Sequence, residues 1–176
     1  MLLFLFLWAM DLSEREIGKL LDFNIGPIKE EAKRLRSLVS YEFIRKLPKF
    51  KGTVEIDESC FFGRRVDLEK PTTNKWVFGL YERDTKRTYM ELVSKRTVHT
   101  LLPIIQKICE MGTTILSDQW KAYEPLSDLG YPHYTVDHSR YFVDPRNREI
   151  HTQHIEISWC WAKYFIKRKN RMGTDL

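Results

Sequence analysis

Beyond Gly52 the hydrophobic period of the chain changes, and that change restricts the fold more than any other feature. Up to Lys46 the apolar residues recur at helical spacing. From Thr53 they alternate, with Val54, Ile56 and Glu58 on one side of a strand and Glu55, Asp57 and Ser59 on the other. The connector Lys46-Leu47-Pro48-Lys49-Phe50-Lys51-Gly52 is basic and carries a proline and a glycine, so it reads as a domain boundary. The expected division is a helical segment over 1–45, a linker over 46–52 and a strand-containing domain over 53–170.

Past the linker, Thr53–Ser59, Trp76–Tyr81 and Thr88–Val93 read as an antiparallel meander turning at Arg83-Asp84-Thr85-Lys86, with a polar excursion over 63–74. Thr97 can cap a helix whose Leu101, Leu102, Ile104, Ile105 and Ile108 lead to a stop at Gly112. Gly112-Thr113-Thr114 then opens a short strand that ends at Ser117-Asp118. A short helix is expected from Trp120 to Leu129, a last strand at His133–Val136, a loop over 137–148, and a closing aromatic and basic helix from Ile155 to Lys169. Three strands, helix, strand, helix, strand, long loop, helix is the order of the ribonuclease-H-like fold. The fold class is therefore α/β, a mixed five-stranded sheet flanked by helices, with a small all-α segment in front. In that fold the first and fourth strands are neighbours, which brings Asp57 and Asp118 together, each at the end of an apolar strand where α/β sheets place their chemistry.

Taken alone, Asp118 also reads as the N-cap of the next helix. A third acid changes the balance. Glu156 stands early on the closing helix, with Trp159 and Lys163 on the same face one and two turns on. Three carboxylates supply the oxygen ligands that two hard divalent cations need for in-line phosphoryl transfer, Mg2+ or Mn2+ being the expected pair. Lys163 adds a point charge for phosphate. Without the two aspartates, Glu156 and Lys163 read as a surface charge pair.

Upstream, Ser13-Glu14-Arg15-Glu16 has the spacing of a capping box, and Ile17, Leu20 and Leu21 form one apolar face behind it. Phe23-Asn24-Ile25-Gly26-Pro27 is a turn, with Pro27 suited to the first turn of the following helix. Ile28, Ala32, Leu35 and Val39 continue at helical spacing, leaving Lys29, Lys33, Arg34 and Arg36 outside it. This is the outline of a helix-turn-helix that reads DNA through those bases, or of a plain helical hairpin. The first ten residues, Met1 to Met10, are almost wholly apolar. They lack a basic leader region and are too short to span a bilayer, so a buried helix is expected, and neither secretion nor a membrane partner.

The chain carries 29 Lys and Arg against 24 Asp and Glu. The excess is concentrated at the end, where Lys163, Lys167, Arg168, Lys169 and Arg171 face only Asp175, a solvated helix end or a backbone-binding tail. Lys121, just beyond Asp118, is a further candidate DNA contact. Cys60, Cys109 and Cys160 are odd in number and widely spaced, which implies no disulfide framework and fits an intracellular setting. His151 and His154 lie near Cys160, but a fourth zinc ligand is missing.

Several spaced stretches resemble one family. Val54-Glu55-Ile56-Asp57-Glu58-Ser59, Trp76-Val77-Phe78-Gly79, Arg96-Thr97 with Thr100–Ile105, Gly112–Ile115, Ser117-Asp118 with Trp120–Tyr123, Phe142–Pro145, and His151-Thr152 with Ile155-Glu156 and Trp159 run in the order found in Merlin-type DNA transposases and their bacterial insertion-sequence relatives. The resemblance covers roughly Lys51 to Lys163 and implies an Asp-Asp-Glu catalytic core. It implies Asp57 and Asp118 as metal ligands, Glu156 as the third acid and Lys163 as the base that follows it. Relatives often carry Asn at the position of Gln153, and in some bacterial members that Asn is held to complete the metal site. Gln153 is therefore the alternative third ligand. The implied partners are double-stranded transposon ends and target DNA, bound by a homo-oligomer, in the nucleus if the source is eukaryotic. Relatives run further on each side, so a fragment, a mispredicted gene or a decayed copy is the accompanying expectation. Two other functions stay open: a non-catalytic DNA-binding protein derived from such an enzyme, and a ribonuclease-H-like nuclease without strand transfer.

Overall fold

A computed structural model describes residues 2–62, 75–136 and 147–171, leaving aside the side chains of 62 and 168–171. Two compact units divide it, Pro48–Ala162 on one side and Met1–Leu47 with the chain from Lys163 onward on the other.

The larger unit is built on a five-stranded mixed sheet in the order β3-β2-β1-β4-β5. Strands β1 (Thr53–Phe62), β2 (Lys75–Glu82) and β3 (Arg87–Val93) form the antiparallel meander. Helix α4 (Val98–Ile108) crosses over to β4 (Thr114–Asp118), which pairs with β1 in parallel, and β5 (His133–Val136) adds a parallel strand at the edge. Helix α5 (Gln153–Arg171) closes the order. This is the ribonuclease-H-like sheet, flanked by helices. Its core holds Val54, Ile56, Phe78 and Leu80 of the meander, Leu101 and Ile105 of α4, Ile115 of β4 and Ile155 of α5, none with exposed surface. Burying such side chains is worth about 1.5–3 kcal/mol each.

The smaller unit begins with α1 (Leu2–Ala9), α2 (Glu14–Leu21) and α3 (Ile25–Lys46). The capping box forms as expected, since Ser13 Oγ accepts the Glu16 amide while Glu16 Oε2 accepts the Ser13 amide at 2.8 Å. Asp22 ends α2 in the left-handed conformation, and Asn24 starts α3. Phe4, Ile17, Ile28 and Ala32 make one buried cluster.

Three expectations need correction. Helix α1 forms, but only Phe4 is buried, while Leu2 is 84% and Phe6 60% exposed. A helix apolar on every side can bury only the side that meets a partner. The stretch after Asp118 is a 3-10 helix, Lys121–Leu126, followed by turns rather than an α-helix to Leu129. Pro125 lies inside it and has no amide to extend an α-helical ladder. Finally, β1 does not stop at Asp57. It continues to Phe62 because the hairpin with β2 outlasts the pairing with β4.

No helix among the described residues is long and apolar enough to cross a membrane. The polar excursion over 63–74 and the Phe142–Pro145 stretch lie outside the described residues.

One position in the meander controls how α5 can sit. Gly79 pairs with Asp57 across β1 and β2, and the Trp159 indole lies so close over it that an added Cβ would come within 2.4 Å of the ring. Gly79→Ala should therefore cost about 1–3 kcal/mol through overpacking, read as a lower urea midpoint at unchanged slope. Stability equal to the parent would show that α5 can lift away freely.

Candidate active site

The sheet register places the two aspartates. Thr53, Val54 and Glu55 of β1 lie beside Thr114, Ile115 and Leu116 of β4, so Asp57 and Asp118 each stand two residues beyond the last pair, near enough for the Asp118 charge to act on Asp57. Both belong to the face that carries Glu55, since side chains alternate along a strand. Glu55 and Asp57 meet α5. Glu58, next in the chain, meets Tyr123 and Arg96 instead.

Each aspartate accepts a defined hydrogen bond, and Asp57 accepts the backbone amide of Glu58 as well. Trp159 Nε1 donates to Asp57 Oδ2 at 2.9 Å, and the Trp120 amide donates to Asp118 Oδ1 at 3.2 Å. The second contact is an Asx-type turn bond rather than the α-helix N-cap that the residue alone suggested. Burial pushes the Asp57 carboxyl up to about 6, and the negative charges of Asp118 and Glu156 add to that against the Trp159 hydrogen bond. Glu58 is pushed up to about 8, by burial first and then by Asp57, with Arg96 opposing. The four acids thus share one electrostatic environment.

Proximity is not yet convergence. Among the described residues, Asp57, Asp118 and Glu156 do not bring three ligand oxygens within 4.8 Å of one another. Glu156 Oε1 instead accepts from Thr152 Oγ1 at 3.5 Å. Gln153 is the first residue of α5 and its side chain is exposed, as is that of Lys121. Lys163 lies on α5 two turns beyond Glu156. In the smaller unit Lys29, Lys33, Arg34 and Arg36 are all exposed on α3, with Arg36 paired to Glu14 at 2.7 Å and Arg34 to Glu31 at 3.7 Å. Lys167 is exposed too, whereas the side chains of Arg168 and Lys169 lie outside the described residues.

One residue that sequence reasoning missed sets the position of α5. Glu55 has no exposed surface, and its Oε2 accepts the amides of His154 at 2.9 Å and Ile155 at 3.0 Å. Its Oε1 meets Arg83 Nε at 2.8 Å and His154 Nδ1 at 2.6 Å. Arg83 also donates to the carbonyls of Glu149 and His151, so it fastens the segment leading into α5. The signal was present: in the β1 alternation Glu55 falls on the same face as Asp57, and a carboxylate there needs a partner.

Glu55, His151 and His154 do place three ligand atoms within 4.8 Å of one another, a grouping with metal-ligand chemistry. Arg83 already supplies a cation to that carboxylate. His151 is pushed below its ordinary value by burial and by Arg83, which works against Glu55. The cluster therefore acts as a latch for α5. The Ser117–His133 pair beside Asp118, at 2.8 Å, is likewise structural: Ser117 has no exposed surface and His133 is lowered mainly by burial.

A family model described as the ISXO2-like transposase domain matches residues 49–170. The chain belongs to that family. No curated protein matches it. The match takes in every strand of the transposase domain and α5 up to 170, and therefore Asp57, Asp118 and Glu156 together.

The raised Asp57 has a consequence for the stability of the transposase domain. With a folded value near 6 and an unfolded one near 3.8, the folded state binds more protons between them, so the ionised carboxyl costs stability above pH 6 and the cost disappears below pH 4. Asp57→Asn should raise stability at pH 7.5 by on the order of 2 kcal/mol and change little at pH 3.5. Urea titrations at the two pH values measure it, and equal effects at both would remove the electrostatic explanation.

Proposed function

We propose that this transposase domain cleaves and rejoins DNA strands at transposon ends by metal-dependent phosphoryl transfer. The observation that carries the reading is that Asp57 and Asp118, on adjacent parallel strands and each two residues beyond the last β1–β4 pair, are close enough for the charges of Asp118 and Glu156 to raise Asp57. Mutually repelling, partly buried carboxylates are a poor arrangement for stability and a good one for a hard divalent cation, so the residues fit Mg2+ or Mn2+, two ions in all. Asp57 and Asp118 would hold the metal, with Glu156 or, alternatively, Gln153 completing the ligand set. When bound, the ions supply an activated oxygen nucleophile and charge stabilisation at the leaving oxygen.

The chain's own residues do the positioning. Trp159 fixes the Asp57 carboxylate, the Trp120 amide fixes that of Asp118, and the Glu55 latch sets the start of the helix that carries Glu156. Lys163 offers a positive charge on the same helix for a strand phosphate. The exposed bases of α3, Lys29, Lys33 and Arg34 together with Arg36 if it leaves Glu14, suit the reading of element ends in a helix-turn-helix manner. Lys121 and the Lys167-Arg168-Lys169 run suit backbone contacts that salt weakens steeply. A homo-oligomer would pair two element ends, and the nucleus would be the compartment in a eukaryotic source.

Strand cleavage of a duplex by the full chain with Mg2+ or Mn2+ should fall at least a thousandfold in Asp57→Asn and in Asp118→Asn, about 4 kcal/mol of barrier. Activity surviving in either variant would sink the mechanism. Glu156→Gln and Gln153→Ala, assayed side by side across a metal titration, identify the third ligand as the one whose loss raises the metal requirement.

A further inference from the structure

Arg96 stands immediately before the cap of α4, and nothing in the Asp-Asp-Glu arrangement requires it. Its guanidinium nevertheless has an unusually constrained setting. The Cζ lies 4.0 Å from the centre of the Trp76 ring and 5.0 Å from that of Trp120. Its Nε faces Glu58 Oε2 at 3.8 Å. Both neighbours lead to the acidic pair: Glu58 follows Asp57 in β1, and the amide of Trp120 is the donor to Asp118 Oδ1. Arg96 is thus tied to both metal-ligand candidates through adjacent residues.

Neutralising Glu58 is not a sufficient reason for this geometry. An arginine held by a carboxylate closes to about 2.7–2.9 Å, often through two prongs, and Arg83 reaches Glu55 at 2.8 Å. For Arg96 the approach is a single long one through Nε, while the plane is set by two aromatic rings. Stacking of this kind fixes the guanidinium and lowers the entropy lost when its edge takes a further acceptor. The side chain keeps 35% of its surface exposed, which leaves it reachable. A polyanion approaching Asp57, Glu58 and Asp118 meets repulsion, and a fixed planar cation at that edge offsets it.

We propose that Arg96, held by Trp76 and Trp120, is a DNA-binding residue of the catalytic unit that grips a backbone phosphodiester next to the Asp57–Asp118 site. The assignment rests on the phosphoryl-transfer reading for its purpose, but its own observable is binding. Trp76 and Trp120 are then positioning residues, which orient the guanidinium without touching DNA.

The test uses the full chain and a fluorescently labelled mixed-sequence duplex in Ca2+ without Mg2+, with Kd followed across a NaCl series. Arg96→Gln should weaken binding about tenfold and reduce the salt slope by about one. Arg96→Lys should keep the slope and still bind several-fold more weakly, because the fork and the stacking are lost. Glu58→Gln provides the control background, since Arg96 then has no charge to neutralise: R96Q added to E58Q should still weaken binding about tenfold. Unchanged Kd and slope for R96Q, or no effect of R96Q in the E58Q background, would overturn the proposal and leave Arg96 as a partner of Glu58. If R96Q alone does not fold, the E58Q pair and R96K decide. Wild-type chain that binds as described but never cleaves with Mg2+ or Mn2+ would remove the catalytic reading and support the binding assignment. Cleavage that is intact in R96Q at subsaturating DNA would do the reverse.

Discussion

A buried carboxylate at the start of a helix holds this site together. Glu55 gives up all its contact with water, a cost of several kcal/mol for an ion unless donors replace the solvent. Two amides of α5, the Nδ1 of His154 and the Arg83 guanidinium replace it. The first turn of a helix carries unsatisfied N–H groups and a partial positive charge, so the arrangement satisfies both partners at once. Its geometric result is that α5 cannot rotate or slide on β1 without breaking charged hydrogen bonds. Glu156, one residue beyond the second capped amide, is delivered to the sheet with β1 as the reference, and Asp57 is two residues from Glu55 on that strand.

Trp159 tightens the same joint from further along α5. Its ring rests on a surface that exists only because position 79 is glycine, and its Nε1 reaches Asp57. The acids themselves oppose the fold. Asp57 and Glu58 are both raised well above the usual carboxylate range, by burial first and by neighbouring negative charge after it. Charged hydrogen bonds at one end of the helix thus offset a repulsive group in the middle of the sheet, an expected pattern where a site is kept ready for a cation.

Legibility in the sequence followed the range of the interaction. Alternation in Thr53–Ser59 and the order of elements were enough to predict the sheet, the pairing of β1 with β4 and the closeness of Asp57 to Asp118, because period and connection order are local signals with few topological solutions. The capping box at Ser13 was readable for the same reason. Glu55 was assigned to the right face, yet its function depends on Arg83 and on the α5 amides, which lie far along the chain. Arg96 between Trp76 and Trp120 joins three separate segments, and no spacing rule connects them. Helix α1 and the stretch after Asp118 show the opposite failure: composition indicated a buried helix and an α-helix, and a partner surface on one side only and the presence of Pro125 prevailed.

Two clusters have the chemistry to attract a divalent cation, and the Asp57–Asp118 pair is the one that holds it in the proposed mechanism. A crystal structure of the full chain grown with Mn2+, read by anomalous scattering, separates them. Density between Asp57 and Asp118, with Glu156 or Gln153 drawn into coordination and the Glu55–Arg83 contact intact, is the predicted result. Density at Glu55, His151 and His154 with Arg83 displaced, and none at the aspartates, would contradict it.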